Sequence, residues 1–150
     1  MWQERDSNVG GGEEEYGAGH STIHDGGTRR RFRGVPHWDA YQQGLTWFHK
    51  NSADAFAQAA KHFERAINLD TNFAAAYAQL AITYGWTDPS DRRKMLEKSR
   101  SLAKQALALD DKSLDARLAL AWTKAVIDHD WSGADKDYRY AIKLNPSSED

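Results

Sequence analysis

No cysteine occurs in the 150 residues, which removes disulfide cross-links, thiolate nucleophiles and thiolate metal ligands together; a reducing compartment fits this usage. No apolar run approaches the roughly 18 residues of a membrane-spanning helix. The opening Met1-Trp2-Gln3-Glu4-Arg5-Asp6 also lacks the apolar core of a signal peptide, so a soluble cytoplasmic protein is expected. Charge of one sign is missing too. Lys and Arg number 20 against 22 Asp and Glu, a formal charge of −2, which argues against a dedicated nucleic-acid binder. Proline appears only as Pro36, Pro89 and Pro146, and eight of the eleven glycines precede residue 35. Helix breakers are therefore nearly absent from the remaining three quarters of the chain.

That asymmetry divides the chain. Residues 1 to about 35 hold the acidic run Glu13-Glu14-Glu15 and the basic run Arg29-Arg30-Arg31-Phe32-Arg33, with few aliphatic residues and no periodicity. Such a segment buries too little surface to offset its ordering entropy, and a disordered tail is expected. The arginine run could contact phosphates and Phe32 could stack on a base or enter a membrane interface. The acidic run offsets much of that charge, so a linker is the simpler reading. His20 and His24 have the i, i+4 spacing of helical metal ligands. No helix is expected among those glycines, and no metal or other cofactor is expected.

From Pro36 onward apolar residues recur at helical spacing, and a phrase returns three times: Ala66-Ile67-Asn68-Leu69-Asp70, Ala106-Leu107-Ala108-Leu109-Asp110 and Ala141-Ile142-Lys143-Leu144-Asn145. Repeats at intervals of this size, rich in Ala, mark stacked helical hairpins. Six helices are predicted at about 37–50, 54–69, 73–86, 90–109, 114–128 and 131–144, with no strand. Ser52, Thr71 and Ser113 are expected to cap the second, third and fifth helices. Pro36 and Asp88-Pro89 suit first turns, while Asn145-Pro146 stops the sixth helix. The expected fold is an all-α right-handed stack of three hairpins over residues 36–146, in units of about 38–70, 71–111 and 112–146. A short tail, 147–150, would follow.

The middle unit is the cleanest. Tyr77, Leu80, Ala81 and Tyr84 place large, Leu, small and Tyr residues on one face, with Ala81 allowing close helix approach. Second helices bracket an aromatic knob with small residues: Ala59, Phe63 and Ala66 in the first unit, Ala134, Tyr138 and Ala141 in the third. In these residues the chain resembles the tetratricopeptide repeat family. The first unit has Gly44 and Trp47 but Gln43 where Leu is usual. The third has Leu120-Ala121, but Arg117 and Lys124 stand at the usual aromatic positions, so Leu118 and Trp122 are expected to carry packing there. Extra turn residues are expected after Asn51 and between Tyr84 and Ser99. The phrases Tyr84-Gly85-Trp86-Thr87-Asp88-Pro89, Ala103 to Asp111 and Asp130-Trp131-Ser132-Gly133-Ala134 are similar to repeat regions of bacterial signalling proteins. In those proteins the repeats follow an adenylate cyclase or winged-helix domain, and neither pattern precedes residue 38.

The resemblance implies a concave groove lined by the first helix of each unit: Tyr41, Leu45 and Phe48, then Ala75, Ala78 and Ile82, then Leu118, Trp122 and Ala125. Such a surface would take an amphipathic helix or an apolar peptide, with Tyr41, Leu45, Phe48, Ile82, Leu118 and Trp122 as contacts. It lacks the Lys/Arg/Asn set with which some family members hold a C-terminal carboxylate. The chain could thus be a protein-interaction scaffold in bacterial signalling or transcription regulation, or a regulatory fragment acting on a separate cyclase or transcription regulator. Arg92, Arg93, Lys94 and Lys98, with Arg100 and Lys104, form a basic helix face that is either solvated or takes an anionic partner. The scattered His37, His49, His62 and His129 have no partnered nucleophile and acid, and no enzyme is expected. Repeat arrays need a polar terminal cap. Ser147-Ser148-Glu149-Asp150 are too few for one, so homodimerisation through the last hairpin, or a longer array, is a further expectation.

Overall fold

The computed structural model describes residue 32, residues 34–87 and residues 89–144. Among them are six α-helices and no strand: α1 (Pro36–Phe48), α2 (Ala53–Leu69), α3 (Ala74–Gly85), α4 (Arg92–Leu109), α5 (Leu114–Ile127) and α6 (Trp131–Leu144), with a 3₁₀ turn at Pro89–Asp91. The helices pack as antiparallel pairs α1–α2, α3–α4 and α5–α6. The pairs stack through α2 on α3, α4 on α5 and α3 on α5.

Local chemistry sets the boundaries. Ser52 Oγ accepts from the Ala55 amide at 3.2 Å and Ser113 Oγ from the Ala116 amide at 3.3 Å, each satisfying an otherwise unpaired N–H. Asp130 is a cap the sequence reading missed; its Oδ1 accepts from the Gly133 amide at 2.8 Å at the start of α6. The aspartates closing the first two repeat phrases do identical work. Asp70 Oδ1 accepts from the Asn72 amide at 3.0 Å and Asp110 Oδ1 from the Lys112 amide at 3.1 Å, so each ends a helix and turns the chain in one residue. Asn51 and His129, which follow α1 and α5, both adopt φ of 53°. This left-handed geometry is easier for Asn than for His.

Three boundaries differ from expectation. Thr71 does not cap α3: the helix starts at Ala74 behind Phe73 with no side-chain cap bond. The Asp70 turn occupies that stretch, and the Thr71 carbonyl accepts instead from the Tyr77 hydroxyl at 3.1 Å. Pro89 opens a 3₁₀ turn rather than α4, which begins three residues later. Phe32, expected in the tail, is buried, its ring 5.3 Å from that of Trp38, because the apolar end of α1 offers it a better contact than water. The remaining expectations for the tail, for Asp88 and for Asn145-Pro146 concern residues outside those described, Gly34 and Val35 excepted.

The core changes character along the stack. Its N-terminal part gathers Trp38, Tyr41, Phe63 and Phe73, with Tyr41 lying 5.7 Å from Phe63 and 5.0 Å from Phe73 between ring centres. Gly44 permits this packing: a Cβ there would lie 2.5 Å from the Phe63 ring. Further on, small residues take over. Ala78, Ala106 and Ala116 form one contact, and Ala81, Ala103 and Ala119 another.

Candidate interaction surface

Alanine at the α3–α5 contact brings two helices close enough to share one outer face. Large side chains beside the alanines cannot enter the joint and project from it. Ile82, Gly85 and Trp86, from the end of α3, and Leu118 and Trp122, from α5, line an open cavity of ≈ 240 Å³, with Tyr138 of α6 at its edge. The Trp86 and Trp122 rings lie 6.4 Å apart at 13°, nearly parallel, and Trp86 is 61% exposed. Gly85 leaves room for the pair, since a Cβ there would only just touch Trp122, at 3.7 Å.

Hydrogen bonds tie together the helices that carry the cavity, and one of them, from Ser99, lies in its wall. Ser99 on α4 donates to the Ala81 carbonyl at 2.7 Å, and Thr83 donates to the Gln79 carbonyl at 2.7 Å. The Gln79 amide in turn donates to Asp115 at 3.0 Å, joining α3 to α5. Arg100 reaches from α4 to the Thr123 carbonyl at 3.2 Å and to Asp128 at 2.7 Å, fixing the far end of α5.

The six sequence-derived contacts do not form one surface. Ile82, Leu118 and Trp122 come together in the cavity. Tyr41 and Leu45 are buried, at 2% and 5% exposure, because the aromatic core closes over that side of α1. They are packing residues and present no groove. Phe48 packs against Phe56, ring centres 5.3 Å apart and tilted, within its own hairpin. Ala75, Ala78 and Ala125 are buried as well. Trp86 and Tyr138 were not singled out as contacts. Trp86 had one signal in the sequence, an aromatic beside Gly85 at a helix end, where a large side chain has nothing to cover it.

The basic set also divides. Arg92 and Arg93 rim a second cavity of ≈ 330 Å³ with His129, over Leu96, Val126 and Ile127. Lys98 belongs elsewhere, its ammonium 5.6 Å from the centre of the Tyr84 ring beside a cleft that also holds Glu64. Lys94 is exposed. In the third hairpin, Arg117 lies over the Tyr140 ring at 4.3 Å and Lys124 pairs with Asp137, so charged residues at the unusual positions do make inter-helix contacts. Among the described residues no three His, Asp or Glu side chains converge to hold a metal ion, and no helix is long and apolar enough to cross a membrane.

Comparison with known proteins agrees with the hairpin stack. The chain is similar to the solved structure of the Arabidopsis OM64 TPR domain, with a TM-score of 0.62 and 17% identity over 76% of this chain and 86% of that one. The fold is thus tetratricopeptide-like. No family model and no curated protein matches the sequence.

Proposed function

We propose that this chain is a non-catalytic protein-interaction module that takes an apolar side chain of a peptide or helix between α3 and α5. The observation carrying this reading is the cavity lined by Ile82, Leu118, Trp122 and Trp86: an apolar recess with two tryptophans at its mouth, on a joint fixed by alanine packing and buried hydrogen bonds. Tryptophans on a pre-ordered surface are effective anchors, because they bury a large area and lose little rotamer freedom on binding. The bacterial signalling setting implied by the sequence phrases belongs to this reading, as does action on a separate cyclase or transcription regulator.

The test is selection of a random dodecapeptide library on the full chain and on Trp122→Ala, with circular dichroism confirming that the variant keeps its helices. Peptides enriched in Trp, Phe or Leu on the parent, and lost on the variant, are the expected result. Equal selection by both proteins moves the site away from the cavity.

Self-association is a second reading, favoured by one observation. Ile67, Leu107 and Ile142 hold the same place in the three repeat phrases. The first two pack against the core, whereas Ile142 is 46% exposed. A second copy covering α6 would give a dimer by sedimentation that Ile142→Glu dissociates. A monomer throughout the micromolar range ends that reading.

A further inference from the structure

The apolar cavity and the basic-rimmed one are lined by neighbouring turns of the same two helices, α4 and α5. Trp122 lines the first and Val126 the second, four residues apart on α5. Ser99 lines the first and Leu96 the second, three residues apart on α4. Residues three or four apart share a helix face, so the two recesses are offset by about one helical turn, ~5 Å. The first recess is mainly apolar, and the second has a floor of Leu96, Val126 and Ile127 under Arg92, Arg93 and His129.

The polar side chains described in the lining of the second recess are Arg92, Arg93 and His129. Among the described residues no carboxylate lines it. Of the nearby acids, Asp128 pairs with Arg100 at 2.7 Å, and Glu97 pairs with Arg93 itself at 3.4 Å on the exposed helix surface, where it offsets part of that charge. Arg92, Arg93 and Lys94 fill the first turn of α4, which holds no acidic residue, and Asp91 makes no side-chain cap bond there. Helix N-termini already carry partial positive charge, so three cations at this end repel it and one another. By contrast α2 and α5 each start with an aspartate in the first turn. An anion seated between Arg92, Arg93 and His129 would relieve that repulsion, while the apolar floor accommodates the carbon stem carrying it.

Resting on the apolar-cavity reading above, we propose that the partner is an acidic amphipathic peptide segment. Its bulky apolar residue enters beside Trp86 and Trp122, and an Asp or Glu about one helical turn away lies against Arg92, Arg93 and His129. The apolar contact supplies most of the affinity. The basic rim supplies orientation and selects against basic sequences, the usual division between a buried anchor and a charged rim.

The same dodecapeptide library tests this separately, selected on the full chain, on Arg92→Glu/Arg93→Glu and on the control Lys104→Glu/Lys143→Glu. The control makes an equal change in net charge at exposed positions outside the two recesses. Parent peptides are expected to carry Asp or Glu three or four residues from a Trp, Phe or Leu. They should bind the Arg92/Arg93 variant about tenfold or more weakly, and the control nearly as well as the parent. Two outcomes overturn the acidic partner and leave the apolar cavity standing. One is apolar anchors selected with no acidic bias, and the other is equal losses in both charge variants. Phosphate-bearing ligands give a third: single-stranded oligonucleotides bound in preference to the acidic peptides, with the same arginine dependence, assign the rim to phosphate and overturn it. Selection indifferent to Trp122→Ala removes the cavity reading and this inference together.

Discussion

The two joints between successive hairpins use opposite packing. Between the first and second, Trp38, Tyr41 and Phe73 fill the space as spacers, and the α1 and α3 backbones scarcely meet. Between the second and third, Ala78, Ala81, Ala116 and Ala119 let α3 and α5 come together along their lengths. Both neighbourhoods contain aromatic residues at comparable places on first helices. In the wide joint the rings lie inside, and in the narrow joint they are left outside. Whether an aromatic becomes core or surface thus depends on the size of the residues beside it, and the narrow joint is the one that presents a binding face.

The largest expected effect removes the aromatic core of the first hairpin, beside the wide joint. Phe63 is fully buried between Gly44 and Tyr41. Phe63→Ala should cost about 3–5 kcal/mol in urea unfolding, the range for aromatic cavities in a packed core. A loss under 1 kcal/mol would mean that the aromatic cluster is not the core of the stack.

Overfilling comes next and probes the first hairpin and the narrow joint. Gly44→Ala drives a methyl into the Phe63 ring and Ala78→Leu forces the α3–α5 backbones apart, each for about 1–3 kcal/mol. Gly44 and Phe63 touch, so Gly44→Ala combined with Phe63→Leu should fall short of the sum of the single changes. Strict additivity in the unfolding free energies would refute that contact.

Trp86→Ala sharpens the contrast from the other side. Removing this exposed ring should change stability by about 1 kcal/mol or less, while the intrinsic fluorescence of the stacked pair changes and peptide capture falls. If its thermal melt dropped as far as that of Phe63→Ala, Trp86 would be core after all.

The smallest effect concerns alkaline pH. Burial, with a lesser contribution from Asp115, raises the Tyr41 hydroxyl above its ordinary 10.0. Burial first, and then the hydrogen bond to Glu64, raises that of Tyr84. Both are protonated in folded and unfolded chains below pH 10, so they are neutral to stability there. Above it the unfolded chain releases these protons first, and stability falls as pH rises. Absorbance at alkaline pH should therefore show two tyrosines ionising only as helicity is lost. Ionisation of all the tyrosines near pH 10 with the helices intact would contradict this burial.

Much of this architecture was legible in the residues themselves. Ser52 and Ser113 announced helix starts because a hydroxyl ahead of an alanine-rich run has an amide to accept from, and both make that bond. Ala81 marked a close approach because no larger residue fits under a neighbouring helix. The groove was harder to place. Tyr41 and Trp122 read alike as aromatics on the inner side of first helices, yet one is sealed and the other half open. Trp86 escaped attention because an aromatic in a turn has no periodicity to assign it a face. The basic run from Arg92 to Lys98 read as one patch, although a helix turns these side chains in different directions.

Sequence alone determined the local and periodic features: six helices, two serine caps, the aspartate that closes the first two repeat phrases, and alanine where helices cross. These depend on interactions within a few residues, or on the size of a single side chain. Only the tertiary structure decided which aromatics face water, that Phe32 joins the core, and that Arg92, Arg93 and His129 share a recess with apolar residues of α5. Those outcomes depend on the distance between helices remote in the chain. That distance is set by the combined volume of residues from several elements, a quantity no local pattern carries.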